Sequence, residues 1–204
     1  MRMGPTTSRR ALVGAAVVAL VVGVVAGCSG GNAKSGPSAT TAPSAPTASV
    51  SPTASPTPDA SVKPVRPAAM DQVNAAGAEA VAVYFLQLFP YIFASGDLTE
   101  WKALSHPECV YCASVVSGAE KMIAAGNRAE GGLVKISAVR STVINPGRWW
   151  SVDLDMAQAA SVTVDGSGKV VEDFPKAKTY HWTLAVVYDA DHWALRELSY
   201  TRTD

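Results

Sequence analysis

Every one of the fifteen aromatic residues in this 204-residue chain lies between Tyr84 and Tyr200, whereas eight of its thirteen prolines lie between Pro37 and Pro67. A packed core needs large apolar side chains, so only the back of the chain can build one. From Ser29 to Pro67 there is no aromatic residue, and 28 of 39 residues are Pro, Ser, Thr or Ala. Such a segment cannot bury enough apolar area to offset its chain entropy, and it is expected to be disordered with polyproline character. Fully extended it would reach on the order of 120 Å at ~3.1 Å per residue. A spacer is the plain reading; O-glycosylation of its Ser/Thr clusters or recognition of its prolines by a partner are sharper ones. The globular part is expected from Ala68 to Asp204, long enough for a single core.

Ahead of the spacer, residues 1–10 carry only positive charge, and Ala11–Ala26 is an uninterrupted Ala/Val/Leu/Gly run of sixteen. That run is short for a membrane span, which needs ~20 apolar residues. Charge, a short apolar stretch and small residues at the exit describe a secretory signal peptide over residues 1–27. The exit Val25-Ala26-Gly27-Cys28 resembles a bacterial lipoprotein signal: an aliphatic residue, two small residues and a cysteine. The resemblance implies cleavage before Cys28, whose thiol takes a diacylglyceryl thioether and whose freed amine takes an acyl chain such as palmitate. Each buried CH₂ contributes ~0.8 kcal/mol, so two or three chains anchor durably where one does not. Ser8-Arg9-Arg10-Ala11-Leu12 also resembles a twin-arginine export motif. It lacks the later lysine, and general secretion is the expected route. The implied location is the extracytoplasmic face of the cell membrane, with residues 28–67 as lipidated cysteine and tether.

The full chain has 17 basic and 17 acidic residues. Removal of residues 1–27 leaves 14 against 17, and residues 68–204 carry 11 against 16, a net charge of −5. This disfavours nucleic acid as a partner and a polybasic grip on lipid. Within the domain, Asp71 is positioned to cap a long helix with apolar residues at helical spacing from Val73 to Tyr91, bent at Pro90 and stopped at Ser95-Gly96. Asp97 with Glu100 forms a capping-box pattern for a second helix, and Pro107 opens a third that Gly126 ends. After Gly131-Gly132 the period becomes two. Trp150, Val152, Leu154 and Met156 share one strand face, and Tyr180, Trp182, Leu184, Val186 and Tyr188 share another. Helices first and strands second give an α+β fold, with N-terminal helices packed on a curved antiparallel sheet.

That order resembles the nuclear-transport-factor-2-like cone of the cystatin-like folds. More narrowly, Ser95-Gly96-Asp97, Ser105-His106-Pro107-Glu108-Cys109-Val110-Tyr111-Cys112 and Gly131-Gly132 resemble a family of actinobacterial lipoproteins whose domain has no assigned function. The resemblance covers roughly residues 75–200. It implies a membrane-anchored extracytoplasmic protein and supplies no catalytic residues.

Cone folds often enclose an apolar pocket, and some members are isomerases or dehydratases using an Asp, His or Tyr inside it. The candidates here are Asp153, Asp155, His181 and Tyr180. Strand alternation puts both carboxylates and His181 opposite the apolar rows, on a solvated outer face. His192 beside Asp191 falls in a hairpin turn. No nucleophile elbow, phosphate loop or two-metal cluster is visible, so an enzyme rests on fold analogy alone. His106, Cys109 and Cys112 are spaced i, i+3, i+6; three neighbours fall short of the four ligands of a structural zinc site. With Cys28 consumed by lipid, Cys109 and Cys112 remain as an even pair in an oxidising compartment, and residues three apart on a helix come within bridging reach. A structural disulfide is expected, with a redox pair or metal ligation as the alternatives. The functional expectation is a binding or interaction module without catalytic residues, metal or cofactor. It would take an apolar small molecule or an envelope protein; a pocket enzyme and a structural envelope protein are the alternatives.

Changing Cys28→Ala is expected to abolish lipid labelling and to leave unprocessed precursor or released protein. Recovery of a lipid-labelled mature form from membranes of the variant strain would contradict the anchor.

Overall fold

A computed structural model describes residues 59–204. The expected signal peptide, Cys28 and the tether as far as Pro58 lie outside the described residues. The helices are α1 (Ala75–Ser95), α2 (Thr99–Ala103) and α3 (Val110–Ala124). They precede strands β1 (Arg128–Gly131), β2 (Val134–Asn145), β3 (Trp149–Gln158), β4 (Ser161–Val164), β5 (Val170–Phe174), β6 (Lys178–Asp189) and β7 (His192–Arg202). This is the α+β class expected from the residue pattern. The strands form two antiparallel sheets where one was expected. The larger runs β2-β3-β6-β7, and the smaller runs β1-β4-β5. The chain leaves β3 at Gln158 and begins β4 at Ser161, so residues 159–160 carry it from one sheet to the other.

The core lies between α1 and one face of the larger sheet. Eleven of the 21 residues of α1 are buried, including Tyr84, Phe85, Leu86, Leu88 and Ile92. They meet Trp150, Val152, Leu154 and Met156 from β3 and Trp182, Leu184 and Val186 from β6, the two rows that strand alternation assigned to the core. Trp101 of α2 closes one end, its ring stacked on Phe85 at 3.9 Å between centroids. α1 is long and apolar enough to cross a membrane by composition, but more than half of that stretch is buried inside the domain. Glu79 ties the helix to the sheet: its carboxylate accepts from the Ser141 backbone N–H at 3.0 Å and its hydroxyl at 2.7 Å.

Helix ends differ from expectation in instructive ways. Asn74 caps α1, its Oδ1 accepting from Gly77 N–H at 3.0 Å. Asp71 instead ends a short 3₁₀ turn and pairs with Arg66 at 2.7 Å. Gly96, at φ 78°, terminates α1 in the left-handed region that glycine enters without steric cost. The capping-box exchange between Asp97 and Glu100 is not made. Asp97 accepts from the Thr99 N–H at 3.0 Å and the Tyr91 hydroxyl at 2.8 Å, while Glu100 turns to Lys63 at 3.2 Å. The Thr99 hydroxyl and N–H, with the Tyr91 hydroxyl, lower the Asp97 pKa to about 2. A carboxylate held below its usual range stabilises the fold at neutral pH and loses that contribution as pH falls toward 2. Cys109, not Pro107, marks the N-cap of α3.

The stretch before residue 68 is also ordered from Asp59 onward. Ala60 is 5% exposed, Lys63 reaches Glu100, and Met70 is buried with its carbonyl accepting from Trp193 Nε1 at 2.8 Å. Composition alone assigns residues 59–67 to the tether because the strap has no aromatic, Leu, Ile or Met side chain of its own. Tertiary contacts place it. Deleting residues 29–58 should therefore leave the thermal midpoint of the mature protein nearly unchanged. Deleting 29–67 should lower it by about 3–8 °C, the scale of ~1–2 kcal/mol in a domain this size. Equal midpoints for the two deletions would show that the strap contributes nothing.

Candidate functional site

Beside the C-terminal half of α1 lie an open space of about 390 Å³ under Ala60, Val62, Pro64 and Val65 and two cavities on either side of Phe89. The larger, about 250 Å³, opens between α1, α3 and the smaller sheet. Phe89, Phe93, Met122, Val162 and Phe174 give it apolar walls, and Glu172, Lys176 and Lys178 supply charge at its edge. The Lys178 ammonium lies over the Phe174 ring, 5.4 Å from its centroid. Gly131 allows the walls to approach: a Cβ there would stand 2.7 Å from the Ala160 carbonyl oxygen, and its φ is 81°.

The smaller cavity, about 140 Å³, is bounded by Leu86, Phe89, Tyr111, Met156, Gln158, Tyr180, Trp182 and Tyr200. Phe89 and Gln158 belong to both cavities and form the wall between them. Four rings from three elements make an aromatic cluster. Tyr200 stands 4.7 Å from Trp182 and 5.5 Å from Tyr180, and Tyr111 packs edge-on to Trp182 at 5.4 Å. Burial pushes the hydroxyl pKa of Tyr111 far up and that of Tyr180 up as well, so both stay neutral phenols. Tyr200, 54% exposed, forms the mouth.

Beside this cavity one buried indole N–H is left over. The indole N–H groups of Trp101 and Trp193 each donate to a backbone carbonyl, of Cys112 at 3.2 Å and Met70 at 2.8 Å. Trp182 is 4% exposed, and its Nε1 is buried with no acceptor among the described residues. An unmet buried donor costs about 1–3 kcal/mol.

The residues singled out from sequence separate into two places. Tyr180 faces the smaller cavity. Asp153, Asp155 and His181 come together on the opposite face of the larger sheet. There His181 Nδ1 lies 2.8 Å from Asp155 and Asp153 accepts from the Thr183 hydroxyl at 2.6 Å. All three side chains are 40–56% exposed, as strand alternation implies. His192 sits at the β6–β7 turn, its ring 3.2 Å from the Ala190 carbonyl. His106 Nδ1 accepts from the Glu108 N–H at 3.1 Å. Cys109 and Cys112 form a disulfide with Cα atoms 5.2 Å apart. Each is 1% exposed, and Cys109 Sγ accepts from the Cys112 N–H at 3.1 Å, so the bridge is sealed into the first turn of α3. Burial removes it from the accessible surroundings that thiol exchange requires. Among the described residues, no group of three or more His, Cys, Asp or Glu side chains is placed to hold a metal.

Sequence patterning did not find Phe89, Tyr111, Gln158 and Tyr200 as a set, because they meet only through tertiary packing. The available signal was Gly131-Gly132, a pair of left-handed residues where the two sheets approach.

Residues 52–199 match a protein family described as a family of unknown function (DUF6318). Among curated proteins nothing matches. Among solved structures, the intermembrane-space region of chloroplast protein ARC6 is similar at 12% identity and a TM-score of 0.50, over 65% of this chain and 99% of that one. That likeness is one of fold alone. An uncharacterised protein with a cystatin-like fold from Caulobacter vibrioides matches at 10% identity and a TM-score of 0.41, over 63% of this chain and 91% of that one.

Proposed function

The chain belongs to the DUF6318 family of unknown function, and from that premise we propose that it is a lipid-anchored extracytoplasmic binding module that holds a small apolar molecule between α1 and its sheets. The observation that carries this reading is the pair of apolar cavities flanking Phe89, between α1 and the two sheets. Ligand sites are concave, mostly apolar and provided with a few polar groups, and both cavities have that make-up. The anchor is read from Val25-Ala26-Gly27-Cys28 and the charged, apolar run before it, the pattern of an actinobacterial lipoprotein. About 30 residues separate Cys28 from Asp59, enough to hold the domain on the order of 90 Å from the bilayer when extended.

Binding is preferred to turnover on chemical grounds. The smaller cavity presents tyrosines whose pKa values move away from neutrality, where a general acid or base would work. The Asp153–His181–Asp155 group is on the far face of the sheet and cannot reach a ligand in either cavity.

Native mass spectrometry of the mature protein, gently released from its own membrane, tests the reading. The expected result is a protein mass increased by a bound small molecule that is ejected on activation. A bare chain in every preparation, together with selective capture of one envelope protein, would replace ligand binding by an interaction role.

A further inference from the structure

The floor of the larger cavity is one face of the smaller sheet. Strand pairing sets Ala129, Thr163 and Glu172 in one row across it and Gly131, Ser161 and Phe174 in the next. Four of these six residues are Ala, Gly, Ser or Thr, where a sheet packed into a core would present larger apolar side chains. Opposite them stand Phe89 and Phe93 of α1 and Met122 of α3. The sequence keeps the floor small, and a slot of about 250 Å³ remains between sheet and helices. Benzene's six carbons fill a cavity of ~150 Å³, so at ~25 Å³ per carbon the slot takes about ten.

Charge is gathered toward one end of the slot. Lys178 pairs in register with Gln158, which with Phe89 forms the wall toward the smaller cavity, and its ammonium lies 5.4 Å from the centroid of the Phe174 ring. Lys176 lines the slot from the same short connection between β5 and β6. Glu172 stands one row farther along the floor, about 7 Å from Phe174 at two residues of strand rise. At the other end Phe93 reaches α3, where Gly118 lies against its ring. None of the ion pairs among the described residues uses Lys176, Lys178 or Glu172. The rim therefore carries two lysines against one glutamate, a net +1, whereas residues 68–204 as a whole, with 11 basic and 16 acidic residues, carry −5. A single carboxylate matches that local charge; a phosphate monoester, at about −1.5 to −2, exceeds it.

We propose that the larger cavity binds a single-chain monocarboxylate of about eight to ten carbons, its carboxylate facing Lys176 and Lys178 and its chain running over the small-residue floor toward Phe93 and Met122. The apolar walls take the chain out of water, and the lysines select the charge of its head. This rests on the binding-module reading and names the ligand class for one of its cavities.

The test is isothermal titration of the mature chain from residue 28 with Cys28→Ala, which needs no detergent. Decanoate, decanol and decyltrimethylammonium are titrated separately, each below its micelle concentration. Decanoate is expected to bind about 2- to 10-fold more tightly than decanol, the ratio that charge pairs at a partly exposed rim give, and to lose that advantage in 1 M salt. The ammonium compound should bind most weakly of the three. Lys176→Gln with Lys178→Gln, polar replacements with little folding risk, should bring decanoate to the level of decanol and leave decanol unchanged. Ala129→Leu fills the floor and should weaken decanoate and decanol alike by about 10-fold or more, with an intact thermal transition showing that it has folded. Decanol binding as tightly as decanoate, or decanoate indifferent to the lysine replacements, would overturn the ligand class while leaving a binding module in place. Tight binding of the ammonium compound would overturn it in favour of a cation site. Unchanged binding to folded Ala129→Leu would overturn the assignment to this cavity. Failure of all three probes, with a small molecule still retained by the exported protein, would overturn this inference alone; failure of the probes together with no retained molecule would remove the binding module itself.

Discussion

The domain depends on one constraint: α1 is too apolar to stand in water and must be covered along its length. Its N-terminal half is covered well. Phe85 stacks on Trp101, Glu79 fastens the helix to β2, and β3 and β6 present alternate large residues to the same face. The α2–α3 segment is held in place around that half. The disulfide fixes the first turn of α3, and residues 104–106 add to β7 through hydrogen bonds between Leu104, His106 and Leu195. Residues 59–71 lie over the remaining side, with Met70 taking the Trp193 indole N–H.

Cover is incomplete at Phe89 and Phe93, which stay half-buried while the neighbouring Leu88 and Ile92 are fully buried, and there the two cavities arise. Past Gln158 the chain leaves the larger sheet, and the smaller sheet has no buried large side chain beyond Val164 to offer. Every residue of β5 is exposed, so this sheet behaves as a flap over a space more than as a second core layer. Phe89 stands in that space as a partition. A packed interior normally leaves few voids larger than a water molecule. Two of them around one phenylalanine are a departure from ordinary packing of the kind that a binding site leaves.

The strand rows were legible because period-two alternation is local: Trp150 to Met156 and Trp182 to Val186 bury as written, with Tyr180 half-buried at the end of its row, and Asp153, Asp155 and His181 follow to the outside. The cysteine pair was legible from count and spacing. Three things were not. The strap from Asp59 to Pro67 has a tether's composition, and only the partners waiting in Glu100, Asp71 and the helix face order it. Asn74 outcompetes Asp71 as the cap because a 3₁₀ turn intervenes, which residue type does not announce. The aromatic cavity draws Tyr111, Tyr180 and Tyr200 from α3, β6 and β7, and no sequence window contains all three.

The central claim is that α1 is fully packed at Phe85 and under-packed one helical turn later at Phe89. Paired truncations measure this directly, since the two residues are the same type, four apart on one helix. Chemical denaturation of the mature protein should show Phe85→Ala costing about 3–5 kcal/mol, the range for a fully buried phenylalanine, and Phe89→Ala costing no more than about half of that. Equal losses would mean that Phe89 is as tightly packed as Phe85, and that the spaces beside it are not built into the fold.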